Sequence, residues 1–145
     1  MKDPTVAIFT AIYELLNQNI KVSGKDLPVY LVVPDAVENG YIFIDSFNPG
    51  DSSTKSAFMV NGTVQIQVVM PVEGSKGSRK EFEQFCNEVL TTLIPTFNSK
   101  LNLGNDFENT YLYLQNKVSL SNEPLETGRY FRNIYTLFLE VEQLN

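Results

Sequence analysis

The segment Thr110–Gln143, TYLYLQNKVSLSNEPLETGRYFRNIYTLFLEVEQ, decides the fold. It reads as two long strands, TYLYLQNKVSL and GRYFRNIYTLFLEVEQ, joined by SNEPLETG, a polar stretch with the Pro and Gly of a hairpin loop. Side chains alternate across a strand. In the second strand Phe131, Tyr135, Leu137, Leu139 and Val141 therefore share one face, and Tyr130, Ile134 and Phe138 the other. In the first, the same alternation puts Leu112, Leu114, Val118 and Leu120 on one side and Tyr111 and Tyr113 on the opposite side. A sheet apolar on both faces needs two covers.

One cover is legible upstream. DPTVAIFTAIYELLNQN (Asp3–Asn19) predicts a helix that Asp3 can cap and in which Pro4 takes the first position. Its apolar stripe is read as Val6, Phe9, Ile12, Tyr13, Leu15 and Leu16. SRKEFEQFCNEVLTTLI (Ser78–Ile94) predicts a second helix. Ser78 and Glu81 form a capping box, the stripe is Phe82, Phe85, Cys86, Val89, Leu90 and Leu93, and Pro95 stops it. Three further strands follow from LPVYLVV, from YIFIDSF after the Asn39-Gly40 turn pair, and from TVQIQVVM, where Val64, Ile66, Val68 and Met70 oppose Thr63, Gln65 and Gln67. The stretch Asp45–Ala57, DSFNPGDSSTKSA, is polar and rich in turn formers and predicts an exposed loop that orders against a partner. Strands in runs with two helices predict one α+β domain over residues 1–145. Its sheet is mostly antiparallel, of about five strands, with both helices on one face.

Composition removes much chemistry. The chain of 145 residues has no histidine, so the commonest general base and metal ligand is missing, and Ser-His and Cys-His nucleophile pairs with it. A single cysteine, Cys86, excludes an internal disulfide and a thiolate zinc site, and its place in a helical apolar stripe marks it as a buried hydrophobe. The net charge of −6 opposes electrostatic attraction to DNA, and the one basic cluster, Lys76, Arg79 and Lys80, is flanked by Glu73, Glu81 and Glu83. No apolar run is long enough to cross a bilayer. The start MKDPTVAIFTAIYELL has no small-residue cleavage site, as expected of a protein made in a reducing cytoplasm.

Two local signals invite a functional reading. MPVEGSKGSRKEFEQF (Met70–Phe85) runs from strand through glycines into a helix, as phosphate loops do. Yet Gly74 and Gly77 bracket only two residues and no Lys-Ser/Thr follows, so the expectation is a turn before a capped helix, with no nucleotide bound. Asn61-Gly62-Thr63 matches a glycosylation sequon but reads as a turn opening a strand. The acids Asp45, Asp51, Asp106 and Glu108 are read as solvated loop carboxylates, and no calcium-loop spacing is present. No catalytic, cofactor-binding or metal-binding residue is assigned.

The N-terminal amphipathic helix, the strands LPVYLVV and TVQIQVVMPV, the capped helix SRKEFEQFCNEVLTTLI and the closing strand GRYFRNIYTLFLEVE together resemble the bacteriophage tail-terminator and tail-completion family. The likeness lies in order and pattern across nearly the whole chain, and DAVENGYIFIDSFNPGDSSTKSAF departs from it as a fuller hairpin and loop. The resemblance implies a structural ring protein of the virion, assembled in the host cytoplasm. Such a protein caps the tail tube or joins it to the head connector and has no enzyme activity. It implies a homo-hexamer, with a twelvefold ring as the alternative, contacting other neck, connector or tube proteins while DNA passes through without specific binding. An acidic wall would suit such a channel. On this reading Tyr111, Tyr113, Tyr130, Ile134 and Phe138 lie against a neighbouring copy, with Arg129 and Arg132 beside them and Phe47 and Phe58 at the shoulders of the Asp45–Ala57 loop. Alternatively, the sheet closes over that face within one chain. The competing functions are a small intracellular module that binds a peptide at a sheet edge and, last, an enzyme using carboxylates alone.

Overall fold

A computed structural model describes residues 2–34, 39–50, 58–72, 78–125 and 128–145. In chain order the elements are α1 (Thr5–Leu16), β1 (Lys21–Val22), β2 (Lys25–Asp26), β3 (Val29–Tyr30), β4 (Tyr41–Pro49), β5 (Met59–Pro71), α2 (Ser78–Leu93), β6 (Phe107–Leu125) and β7 (Gly128–Gln143).

β3 to β7 form one five-stranded sheet in the order β3-β4-β5-β7-β6. All its pairs are antiparallel except β3–β4, which is parallel, so the sheet is mixed at one edge. β1 and β2 make a separate two-stranded hairpin. Its tip has Ser23 at φ 53° and Gly24 at φ 79°, the paired left-handed residues that a tight two-residue hairpin turn requires. The predicted strand LPVYLVV contracts to Val29–Tyr30, because the chain bends at Leu31 and Val32 and leaves the sheet edge.

Both helices lie on one sheet face. α1 contributes Ile8, Ala11, Ile12 and Leu16, and α2 contributes Phe82, Phe85, Cys86, Val89 and Leu93. They pack on Ile42, Ile44, Val64, Ile66, Val68 and the inner residues of β7 from Phe131 to Val141. The α2 stripe is as the periodicity predicts. The α1 stripe is rotated: Val6 and Tyr13 are exposed, and Ile8 and Ala11 replace them in the core. Val6, Ala7, Ile8 and Phe9 are all apolar, so the sequence offers two overlapping stripes and only packing selects one. At the start of α1, Asp3 Oδ1 accepts the Thr5 N–H at 2.9 Å and its hydroxyl at 2.6 Å, which holds the carboxyl below its usual range.

The exposed-loop reading of Asp45–Ala57 is corrected at its start. β4 continues to Pro49 through a bulge between Ile44 and Phe47, and Asn48 and Pro49 pair with Thr63 and Gly62. The approach is close enough that a Cβ on Gly62 would collide with the Asn48 carbonyl oxygen, so a turn-like sequence is held as strand by a glycine opposite it. Residues 51–57 of that reading lie outside the described residues, as do residues 73–77 of the glycine-containing stretch. The predicted hairpin loop SNEPLETG also shortens: β6 runs to Leu125, paired with Gly128.

Candidate subunit interface

β6 is the edge strand of the sheet, and three irregularities in its ladder with β7 set which way its side chains point. Before the bulge at Leu114/Asn116, Leu112 and Leu114 oppose Leu139 and Leu137 on the helix side. After it, Val118 opposes Ile134 and Leu120 opposes Arg132 on the outer side. A bulge inserts one residue and reverses the alternation beyond it. The assignment of Val118 and Leu120 to the same face as Leu112 and Leu114 is therefore corrected: they join Tyr111 and Tyr113.

The outer face of β6 thus carries Tyr111, Tyr113, Val118 and Leu120, all exposed, with Ile134 and Phe138 half-buried beside them on β7. Tyr113 stacks on Phe138 with ring centroids 5.0 Å apart, and Tyr111 meets Tyr113 edge-on at 5.4 Å. Leu114 is also exposed although it points to the helix side, because the buried core that takes in Phe107 and Leu112 of β6 ends before it. Lys117, on the helix side, lies 5.9 Å from the centre of the Tyr135 ring.

Asn109 fixes the first irregularity. Its amide nitrogen donates to Tyr111 O at 2.7 Å and to Glu140 O at 3.0 Å, and its Oδ1 accepts the Leu101 N–H at 2.9 Å. The buried side chain therefore replaces ladder bonds lost at the bulge and ties the chain after α2 to the sheet. Nothing in an isolated Asn among strand residues signals this role.

Not every predicted contact residue faces solvent. Phe47 is buried in the main core opposite Val64. Tyr130, 2% exposed, belongs to a second small cluster with Tyr41 and Val69, onto which Tyr30, Val33 and Phe43 pack. The chain after β3 thus closes that end of the outer face within the molecule. Arg132 lies nearby and donates from Nη1 to Gln67 Oε1 at 2.5 Å, while the Arg129 carbonyl accepts the Val72 N–H at 2.8 Å. Phe58 is exposed at the opposite end of the sheet, where its carbonyl accepts the Gln143 N–H at 2.7 Å. The structure brings Tyr111, Tyr113, Ile134 and Phe138 together and separates Phe47, Phe58 and Tyr130 from them.

A cleft of about 320 Å³ opens beside β6, lined by Phe97–Lys100 and Thr110–Tyr113. A second, of about 400 Å³, lies between β1 and α2 among Lys21, Lys80, Glu83 and Glu88, of mixed charge. Among the described residues no group of three His, Cys, Asp or Glu is placed to hold a metal ion. Cys86 is buried beside Tyr135 and Asn133, whose Nδ2 lies 3.3 Å from Sγ, and burial pushes the thiol up to about 11. Burial raises the Tyr135 hydroxyl in the same direction. Among the described residues no helix is long and apolar enough to cross a membrane.

No protein-family model and no curated protein matches the sequence. Solved structures do match the fold. A chain from the virion of a native gene transfer agent particle superposes at TM-score 0.67 with 15% identity, over 95% of each chain. A second solved chain is 18% identical at TM-score 0.53, over 97% of this chain and 95% of its own. A chain of an extracellular contractile injection system, the PVC sheath/tube terminator in its extended state, is looser, at TM-score 0.46 and 12% identity over 56% of its length. The α+β fold implied by the resemblance to tail-terminator proteins is the fold found, and a virion chain shares it from end to end.

Proposed function

We propose that this chain is a structural, non-enzymatic subunit of a virion tail or neck. In this reading it assembles into a closed ring that caps the tail tube or joins it to the head connector around the DNA channel. The observation that carries it is the end-to-end fold likeness to a chain of a gene transfer agent virion. The exposed apolar surface of β6 supports it, since a domain of this size rarely leaves a contiguous apolar patch uncovered unless something binds there. Tyr111, Tyr113, Ile134 and Phe138 form the centre of the subunit contact, because aromatic side chains bring large area at low entropic cost. Six copies would carry a charge of about −36, which keeps the channel wall from holding DNA.

Mass measurement in solution tests the proposal. A closed oligomer of six, or of twelve, 16.4 kDa chains is expected, and ring-shaped particles by electron microscopy. A chain that stays monomeric at every concentration and salt, and that is absent from purified particles, overturns it. That outcome would favour the second reading, a peptide-binding module. The cleft beside the β6 edge, with Phe97, Tyr111 and Tyr113 around it, is the feature that favours that reading.

A further inference from the structure

We infer that Asn39 is a site of self-modification, at which attack by the Gly40 backbone nitrogen converts the side-chain amide to aspartate and isoaspartate. The inference does not depend on the ring proposal.

The chain contains two Asn-Gly pairs, Asn39-Gly40 and Asn61-Gly62. Glycine has no Cβ to hinder ring closure on its own nitrogen, so both pairs are chemically competent. Their surroundings differ. Asn39 is exposed, at a bend just before β4. Among the described residues no hydrogen bond engages its side chain or the Gly40 N–H. Gly40 itself is buried, and a Cβ there would come within 2.8 Å of Met70 Cγ and 2.9 Å of the Val69 carbonyl oxygen. The nucleophile is therefore held by packing while the amide is free to turn onto it.

Asn61 and Gly62 lie inside β5, where they pair with Glu140 and Leu139 of β7, and Gly62 also with Pro49 of β4. The Asn61 carbonyl accepts the Gly50 N–H at 2.7 Å. An extended strand bonded along both edges cannot swing the Gly62 nitrogen onto Asn61 Cγ without breaking its ladder, so this pair reacts only through local opening. Asn98 is exposed and precedes a small residue, but the Ser99 N–H that would attack it donates to the Thr96 carbonyl at 3.1 Å.

The Gly40 N–H gives its proton to hydroxide from solvent, and the nitrogen bonds to Asn39 Cγ. The Cγ–Nδ2 bond breaks and ammonia leaves. Water then opens the cyclic imide. Cleavage at Cγ gives aspartate, cleavage at the Asn39 backbone carbonyl gives isoaspartate, and nothing is oxidised or reduced. Either product adds a negative charge to a chain that already carries −6. Isoaspartate also lengthens the main chain by one carbon, directly before a glycine with no space around it. Tyr41 follows and belongs to the cluster with Val69 and Tyr130, so the change loosens that end of the outer face.

Incubation of the full chain at mildly alkaline pH in heavy-oxygen water, native and unfolded in urea, tests this by peptide mapping. Heavy oxygen marks each carboxylate formed during the incubation. In the native protein Asn39 is expected to convert within about tenfold of its unfolded rate, and Asn61 at least about tenfold more slowly than Asn39. Retention of the Asn39 amide in the native protein while the unfolded chain converts overturns the inference, as does conversion of Asn61 as fast as Asn39. As a second readout, the unfolding temperature of wild type is expected to fall as the converted fraction rises, and that of Asn39→Gln to stay constant over the same incubation. An equal fall in both overturns the assigned consequence.

Discussion

Tyr113 and Phe138 face each other across the β6–β7 ladder, with their rings 28° from parallel and their centroids 5.0 Å apart. Such a pair on a sheet surface contributes about 0.5–1.5 kcal/mol beyond the area it buries. It also presents a flat apolar surface at the uncovered edge of the domain. Phe138→Asp is expected to leave the far-ultraviolet circular dichroism unchanged and to abolish assembly, since an unpaired charge in a dry contact costs about 3–5 kcal/mol. Normal assembly of the variant would exclude this pair from the contact. Loss of the monomer fold would place Phe138 in an internal core.

Asn109 is a stability determinant. Asn109→Ala removes the partner of the Leu101 N–H and of the Tyr111 carbonyl, while the Glu140 carbonyl keeps the Thr110 hydroxyl at 3.3 Å, at an expected cost of about 2–4 kcal/mol in urea unfolding. Asn109→Asp keeps the acceptor for Leu101 but sets a carboxylate against two carbonyl oxygens, so it should cost more than alanine at neutral pH. Equal stability of wild type and Asn109→Ala would show that water replaces the side chain.

Gly62 is required where β4 and β5 close up beyond the bulge. Gly62→Ala would place a methyl against the Asn48 carbonyl and the Pro49 backbone. An expected loss of about 1–3 kcal/mol, with amide exchange accelerated at Asn48 to Gly50, follows from overpacking against backbone. Unchanged exchange there would show that the strands separate freely.

Cys86 sets an alkaline limit on stability. Burial raises the thiol from its ordinary 9.0 to about 11, so the folded state holds its proton after the unfolded chain has lost it. The contribution is complete below pH 9 and is lost as pH rises through about 11. Stability should therefore fall across that window. Cys86→Ala should show a shallower fall there, offset by a pH-independent cavity cost. At pH 8 the native protein should resist thiol reagents and become reactive only when unfolded. Rapid native labelling would contradict its burial.

Salt should promote assembly. With −6 per chain, subunits repel most where screening is weakest, so the oligomer fraction is expected to rise from 0.01 M to about 0.15 M salt, as the Debye length falls from about 30 Å to about 8 Å. An oligomer that dissociates as salt rises would mean that ion pairs, not apolar packing, hold the contact.

The sequence by itself determined the α+β class, the α2 stripe, and the alternation of β5 and β7, because each rests on a local period that one element carries alone. It also pointed to a sheet with two apolar faces and to a chain without histidine-based chemistry. Only the tertiary structure decided the rest. Which of two overlapping stripes α1 buries depends on what the sheet offers it. The faces of Val118 and Leu120 turn on a bulge that the partner strand, not β6, makes visible. Tyr130 and Phe47 are apolar residues on strands like Tyr113 and Phe138, yet they are buried within the molecule. Their fate depends on distant segments, the chain after β3 and the helices, folding over them. Where no bulge intervenes, the local period sets which way a side chain points within its element; whether a bulge reverses it, and whether anything lies there, is decided by residues tens of positions away.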